Sequence, residues 1–330
     1  MRICVVGGTG NISRPFVELL LKNGHDVTCY NRGNSGPVPD GAQVIIGDRA
    51  ERDTFEAAIQ RGSFDGAIDM ICFNKEDAES SVRAFRDVGH FIQCSTVCTY
   101  GLDYDWLPVT EDHPLRPVSD YGRNKVEADN VFLTAHHSSG FPVTIIKPST
   151  TYGPKMGLLR QIAFEMSWID RIRKGKPLLV CGDGKALHQF MHVEDAALCF
   201  GNVLGKAHCI GQIYNMVNRG FVMWEQHHRT AMEVLGREVE LIGVPLKDII
   251  ASGVPDSGIC EDIFAHNTIY SADRLFRDVP EFQPRISLAE GMARVIEILD
   301  SESRIPNSDE SDWEDTLIEA QRRVSSGSQA

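Results

Sequence analysis

The sequence predicts a doubly wound α/β fold, a parallel sheet covered by helices on both faces, followed by a smaller α+β lobe. Three observations carry this expectation. Short β-branched runs alternate with helix-length amphipathic segments up to Pro148; the first run leads through a glycine-rich turn into a helix; and beyond Pro148 the alternation stops. Strict alternation of strand and helix requires right-handed crossovers, which leave every strand parallel and helices on both sides.

Taken in order, strands are expected at 2–6, 25–30, 43–46, 66–71, 90–94 and 143–146, where apolar, β-branched residues dominate. Helices are expected at 14–23, 52–60, 76–88 and 124–136, which carry 3.6-residue periodicity and one charged face. Later come a helix over 158–173, the turn Gly182-Asp183-Gly184, a strand over 189–192, a helix from Val193, and helices over 224–235 and 287–299. The expected domains are 1–154, with 188–216 returning to it, then 155–187 with 217–300. Residues 301–330 read as a short helix and a frayed Ser/Gly tail.

Composition narrows the class. The 330 residues include 33 Lys+Arg against 46 Asp+Glu, a net charge of −13 that disfavours a phosphate-tracking surface, so nucleic acid is not an expected partner. The nine cysteines are scattered, odd in number and mostly set in apolar runs, the usage of reduced, buried thiols. There is no C-x-x-C pair, and the doublets His136-His137 and His227-His228 lack partners at ligand spacing, so no metal is expected. Met1-Arg2 leads straight into a strand, and no apolar run reaches about 18 residues. A cytoplasmic protein without a membrane span is the expectation.

The turn Gly7-Gly8-Thr9-Gly10-Asn11-Ile12-Ser13 sits between the first strand and the first helix. That order aims backbone N–H groups and a helix dipole at a pyrophosphate, with glycines where a side chain would block its approach. After the second strand, where a carboxylate would hold the ribose of NAD, stands Asn31-Arg32-Gly33. Arg32 can meet a 2′-phosphate, which favours NADP over NAD; the other reading has Asn31 on the ribose and admits either. Asp48, beside Arg49, is placed to meet the adenine amino group. Downstream, Tyr121 and Lys125 lie four residues apart at the start of a helix, where the ammonium can lower the pKa of the phenol.

These motifs, with Ser95-Thr96, Tyr100-Gly101, Lys147-Pro148, Tyr152-Gly153-Pro154 and Phe190 to Asp195, resemble the extended short-chain dehydrogenase/reductase superfamily over about the first 200 residues. Within it they look most like the NAD-dependent epimerase/dehydratase branch, near the chloroplast stem-loop-binding proteins. The resemblance implies a Rossmann-type domain and a C-terminal substrate domain. It implies that Tyr121 exchanges a proton with a substrate hydroxyl, that Lys125 holds the nicotinamide ribose, and that Thr96, helped by Ser95, hydrogen-bonds the reacting oxygen. It places Met70 and Pro148 along the cofactor with Gly7, Thr9, Gly10, Asn11, Ile12 and Arg49, and it implies a homodimer.

Departures from the family pattern are informative. Val97-Cys98 stands where 4,6-dehydratases carry an Asp-Glu pair, which disfavours that elimination. Cys98 matches a proton-transferring cysteine of epimerase-reductases, with Lys155 in place of their histidine; the alternative is a small thiol filling space. His188 and the stretch 264–267, with His266, replace two diphosphate-clamping arginines. A free or simply modified sugar, or a small polyol or ketone, is therefore the expected substrate, lined by Thr96, Lys155, His188 and His266, with His113 and His192 as further candidates. The reading is an NAD(P)-dependent oxidoreductase or epimerase. Its rival is a catalytically idle nucleotide-binding protein that binds RNA or a protein.

Overall fold

The structure, a computed structural model, describes residues 1–327, and the last residues of the expected frayed tail lie outside them. Two compact units emerge. The first comprises 1–151, 191–219 and 270–285, the second 152–190, 220–269 and 286 onward. The return to the first unit thus starts at 191 rather than 188. A further return, 270–285, carries no signal in the alternation pattern.

In the first unit β1 (Arg2–Val6), β2 (Asp26–Asn31), β3 (Gln43–Ile46), β4 (Gly66–Asp69), β5 (His90–Cys94) and β6 (Val143–Pro148) join the strand Ile213–Met216 in one sheet. The order is β3-β2-β1-β4-β5-β6 and then Ile213–Met216, every neighbouring pair parallel. Chain order reverses between β1 and β4, so a crevice opens beyond the carboxyl ends of those strands, where ligands of such sheets bind.

Alternation along each strand splits the core. Ile3, Val5, Ile68 and Ile92 pack with α1 (Ser13–Lys22) and the helix Val193–Val203 on one face. Cys4, Val6, Ala67 and Phe91 pack with α2 (Arg52–Arg61), α3 (Lys75–Ala84) and α4 (Asp120–Ser139) on the other. There Phe91 meets Phe85, Phe132 and Phe141 at centroid distances of 5.3, 5.1 and 5.3 Å. Helix α3 stops four residues short of its expected end because Phe85 and Val88 turn into this core. Helix α4 starts four residues early because the Ser119 hydroxyl accepts from the Gly122 N–H at 3.2 Å, and Gly140, with φ 73°, ends it. That early start puts Tyr121 and Lys125 in the first two turns.

In the second unit the strands Leu178–Cys181 and Leu241–Val244 pair in parallel. Helices Ser167–Lys174, Trp224–Leu235 and Leu288–Ser301 enclose a core of Trp168, Trp224, Phe190 and Phe264. The helix expected over 158–173 forms only from Ser167. Residues 158–163 are all buried, a run no single helix face can hide, and two of them are Arg160 and Gln161. Their polar groups are met from outside: Gln161 accepts from the Cys181 N–H at 2.9 Å and donates to the Phe264 carbonyl at 3.1 Å. The chain's end is not frayed up to 327: a helix runs Trp313–Gly327, with Leu317 and Ile318 buried. No helix among the described residues is long and apolar enough to cross a membrane.

Candidate active site

The glycine turn opens from β1 at the crevice. Gly7 has φ 84°, and a Cβ on Gly8 would stand 2.5 Å from the Cys29 sulfur, so neither position accepts a side chain without displacement. Ser13, where a third glycine is common, stitches the turn: its hydroxyl donates to the Gly7 carbonyl at 2.5 Å and accepts from the Gly10 N–H at 2.7 Å. This cradle and the start of α1 fit a pyrophosphate, with Thr9, Gly10, Asn11 and Ile12 around it.

Two of the predicted cofactor residues are otherwise engaged. The Asn31 carboxamide oxygen accepts from the Gly8 N–H at 3.0 Å, and its amide donates to the Thr9 hydroxyl at 2.9 Å, so Asn31 shapes the turn rather than offering itself to a ribose. Arg49 is buried. Its guanidinium donates to Asp69 at 2.7 Å and, in α3, to the Asp77 carbonyl at 2.8 Å and the Ser81 hydroxyl at 3.1 Å. Arg32 is exposed at the end of β2, and Asp48 is exposed after β3, one carboxylate oxygen accepting from the Ala50 N–H.

The buried Arg49 cluster has a task that sequence spacing did not reveal. Asp69 accepts from the Ile71 N–H at 3.0 Å and Asp77 from the Phe73 N–H at 3.0 Å, while the Cys72 carbonyl accepts from Lys125 at 2.8 Å. The loop after β4, which begins at Met70, is thereby pinned at three successive residues on the rim of the crevice.

Across it stand Thr96, Tyr121 and Lys125. Thr96 lies just past β5 and caps the turn Val97–Thr99; its hydroxyl accepts from the Cys98 N–H at 3.2 Å and lies near enough to the Tyr121 phenol to act on its pKa. Lys125 is 1% exposed; besides Cys72 its ammonium donates to the Cys94 carbonyl at 2.8 Å, leaving one N–H of three. Although Tyr121 as a whole is 44% exposed, desolvation of its phenol raises the pKa above the ordinary value, the nearby Cys94 and Cys98 thiols add to the rise, and Thr96 opposes it. The lowering expected from Lys125 does not prevail, because that ammonium sits 5.8 Å from the Tyr121 ring centroid and is engaged by two carbonyls.

Ser95 faces the other way. Its hydroxyl donates to Asp129 at 2.6 Å, Asp129 pairs with Lys147 at 3.4 Å, and Lys147 donates to the Thr99 hydroxyl at 2.8 Å, a buried chain under the sheet end. Ser95 and Thr96 both lie just past β5, where the backbone at Thr96 is still extended, so successive side chains point to opposite sides. Pro148 closes β6. Cys98 is the one cysteine not fully buried, and its thiol lies in electrostatic reach of Tyr121, Tyr104 and Tyr270. The Tyr104 and Tyr270 hydroxyls, 3.2 Å apart, had no motif to announce them, since 166 residues separate the two.

Of the expected substrate residues, Lys155, His188 and His266 lie in the second unit. Lys155 is exposed, and His266 is half-buried with its ring nitrogen on the Glu261 carbonyl. His188 is 1% exposed, stacked on Trp224 at 5.1 Å and bonded to the Thr268 hydroxyl at 2.7 Å, so it is a core histidine and not a lining residue. His113 is likewise buried, accepting from the Asp105 N–H and donating to the Pro114 carbonyl. His192 caps the helix Val193–Val203. No cluster of three or more metal-ligand residues forms among the described residues.

Comparison with known proteins agrees with this geometry. A 2'-dehydrokanamycin reductase of Streptomyces kanamyceticus is 24% identical over 299 residues, 90% of this chain and 83% of its own. The chloroplast stem-loop binding protein of 41 kDa b of Arabidopsis thaliana is 28% identical over 239 residues, 68% of this chain and 60% of its own. Among solved structures, dTDP-glucose 4,6-dehydratase from Bacillus anthracis in complex with NAD superposes with a TM-score of 0.73 at 19% identity, covering 92% of this chain and 97% of that one, a likeness of fold. The profile of the NAD dependent epimerase/dehydratase family matches residues 3–216, more than half of the sequence. Glycine cradle, switch-point crevice and family profile agree, and the chain belongs to the NAD dependent epimerase/dehydratase family of extended short-chain dehydrogenases/reductases.

Proposed function

We propose that this chain catalyses nicotinamide-dependent oxidation or reduction, or epimerisation through the same step, at a carbinol carbon of a sugar or similar polyol. The observation that carries the proposal is the grouping of Thr96, Tyr121 and Lys125: Thr96 lies near enough to Tyr121 to act on its phenol, and Lys125, one turn further along α4, holds its ammonium 5.8 Å from the Tyr121 ring centroid. A bound nicotinamide supplies or takes the hydride at its C4. Thr96 holds the reacting oxygen, Tyr121 gives or takes its proton, and the remaining N–H of Lys125 is available to a ribose hydroxyl.

The lack of a carboxylate at Val97 and Cys98 supports reduction or epimerisation over dehydration. The likeness to 2'-dehydrokanamycin reductase supports keto-sugars as first substrates to try. Tyr121→Phe should lower the turnover of any accepted keto-sugar by about 10²–10⁴-fold while leaving cofactor affinity nearly intact; unchanged turnover, measured as nicotinamide absorbance change, refutes the assignment. RNA binding that persists in this variant, in a protein that turns over no keto-sugar or polyol, would instead favour the idle nucleotide-binding reading that the stem-loop binding relative raises.

NADP is the proposed cofactor. Asn31 is committed to the turn and the nearest free charge at the end of β2 is that of exposed Arg32, which suits a 2′-phosphate. Arg32→Ala should weaken NADPH binding about tenfold, the loss of one charge-assisted contact, and leave NADH binding within about twofold. Equal losses in a nicotinamide-fluorescence titration refute the preference.

A further inference from the structure

We infer that Phe73, in the loop after β4, is a positioning residue: its ring holds the Lys125 ammonium against the Cys72 and Cys94 carbonyls and closes it off from water. Lys125 Nζ lies 5.0 Å from the Phe73 ring centroid and 5.8 Å from that of Tyr121, so the ammonium has two aromatic rings near it besides its two carbonyls at 2.8 Å, with one N–H uncommitted. A ring face attracts a cation most when water is excluded, and Lys125 is only 1% exposed. Phe73 itself is 47% exposed, an aromatic side chain left facing solvent on the rim of the crevice. Packing therefore does not explain its presence.

The surroundings fix the ring where it acts. The Phe73 N–H is held by Asp77 at 3.0 Å, and Asp77 is tied to Arg49 and to Arg52, at 3.5 and 3.1 Å. The residue before it lends Lys125 a carbonyl. One short loop thus presents an acceptor and a ring to the same ammonium, while the Arg49–Asp69–Asp77 cluster keeps that loop from moving. Phe73 touches no reacting atom in this arrangement; it acts through Lys125. The inference rests on the reading that Lys125 belongs to the active site only for its functional meaning, not for its physical content.

The test is the rate at which acetic anhydride labels Lys125 in the folded full-length protein, read by peptide mass spectrometry. Because Phe73 is half in solvent, truncation does not threaten the fold, and Phe73→Tyr and Phe73→Leu serve as controls. Phe73→Ala should label Lys125 about tenfold faster than wild type, the loss of a shielded cation–π contact, and Phe73→Tyr should restore the slow rate. Phe73→Leu, which has bulk but no π face, should fall with Ala. An unchanged rate in Phe73→Ala overturns the inference, and so does a Phe73→Leu rate equal to wild type, since bulk alone would then suffice. A parallel labelling of wild type with NAD⁺ or NADP⁺ present separates the two readings. If neither nucleotide protects Lys125 while the Phe73 series behaves as described, the cofactor-site reading fails and the role of Phe73 stands.

Discussion

Below about pH 5.5 the second unit should lose roughly 4 kcal/mol of stability per pH unit, one proton's worth for each of three histidines buried in its core. His188, His227 and His228 are each no more than 1% exposed among Trp168, Trp224, Phe190 and Phe264. Burial pushes His188 down to about 3 and His227 to about 4, and pushes His228 well below the usual range, with His227 and the Arg160 guanidinium adding repulsion there. The second ring nitrogens of His227 and His228 have no acceptor to receive a new proton. Unfolded, the same three side chains bind protons at about pH 6.5. The unfolded chain therefore comes to hold nearly three more protons than the folded one between about pH 5.5 and 4, so stability is present above about pH 6.5 and falls as pH drops through that window. Since a domain's whole stability is about 5–15 kcal/mol, unfolding between about pH 5 and 4 is the expected outcome. The near-ultraviolet circular dichroism of buried Trp168 and Trp224, followed against pH, checks it. His227→Asn should reduce the pH slope by about a third; a stability that stays flat from pH 7.5 to about 5 would refute the account.

That histidine cluster also marks where the sequence stops being legible. The parallel sheet is readable because its central strands are buried on both faces and so spell near-continuous apolar runs, and because the glycine turn joins a strand to a helix. Thr96, Tyr121 and Lys125 are readable because one strand end and one helix turn bring them together. Asn31, Arg49 and Ser95 are of the right types at the right positions, yet their side chains go to Gly8, to Asp69 and to Asp129, choices made by partners 23, 20 and 34 residues away. The doublet His227-His228 gives no hint that both rings enter an aromatic core, because nothing local distinguishes a buried neutral imidazole from a solvated one. The terminal helix does carry a signal: Trp313, Leu317 and Ile318 fall at i, i+4 and i+5, a narrow apolar stripe. An acidic flank obscures it.

That acidic flank is what binds the helix in place, and Glu314→Ala should destabilise the second unit by about 3–5 kcal/mol, the usual cost of breaking a buried ion pair from one side. Glu314 is 2% exposed, Arg160 and Arg171 no more than 1%. The Glu314 carboxylate accepts from Arg160 at 2.7 Å, lies 3.3 Å from Arg171 and accepts from the Leu179 N–H at 2.8 Å. Removing it leaves two guanidinium groups facing no anion of comparable burial, because their remaining carboxylate partners, Glu165 and Asp315, are partly solvated. It also strips the Leu179 N–H, in the strand Leu178–Cys181, of its acceptor. A fall in melting temperature on the order of 10 °C is expected, by the usual scaling for a unit of this size. Glu314→Gln keeps the shape and an acceptor but not the charge, so it should recover only part of the loss. The decisive comparison is the double variant Arg160→Met/Glu314→Leu, which removes both charges and fills their volume. Buried pairs gain little over apolar contacts of the same shape, so it should melt well above Glu314→Ala, although Arg171 keeps it below wild type. If Glu314→Ala melts within about 2 °C of wild type, less than even a modest loss would cause, the ion cluster does not hold the terminal helix. If the double variant melts no higher than the single one, the energetic weight lies in the charges themselves rather than in the penalty of leaving one side of the cluster unpaired.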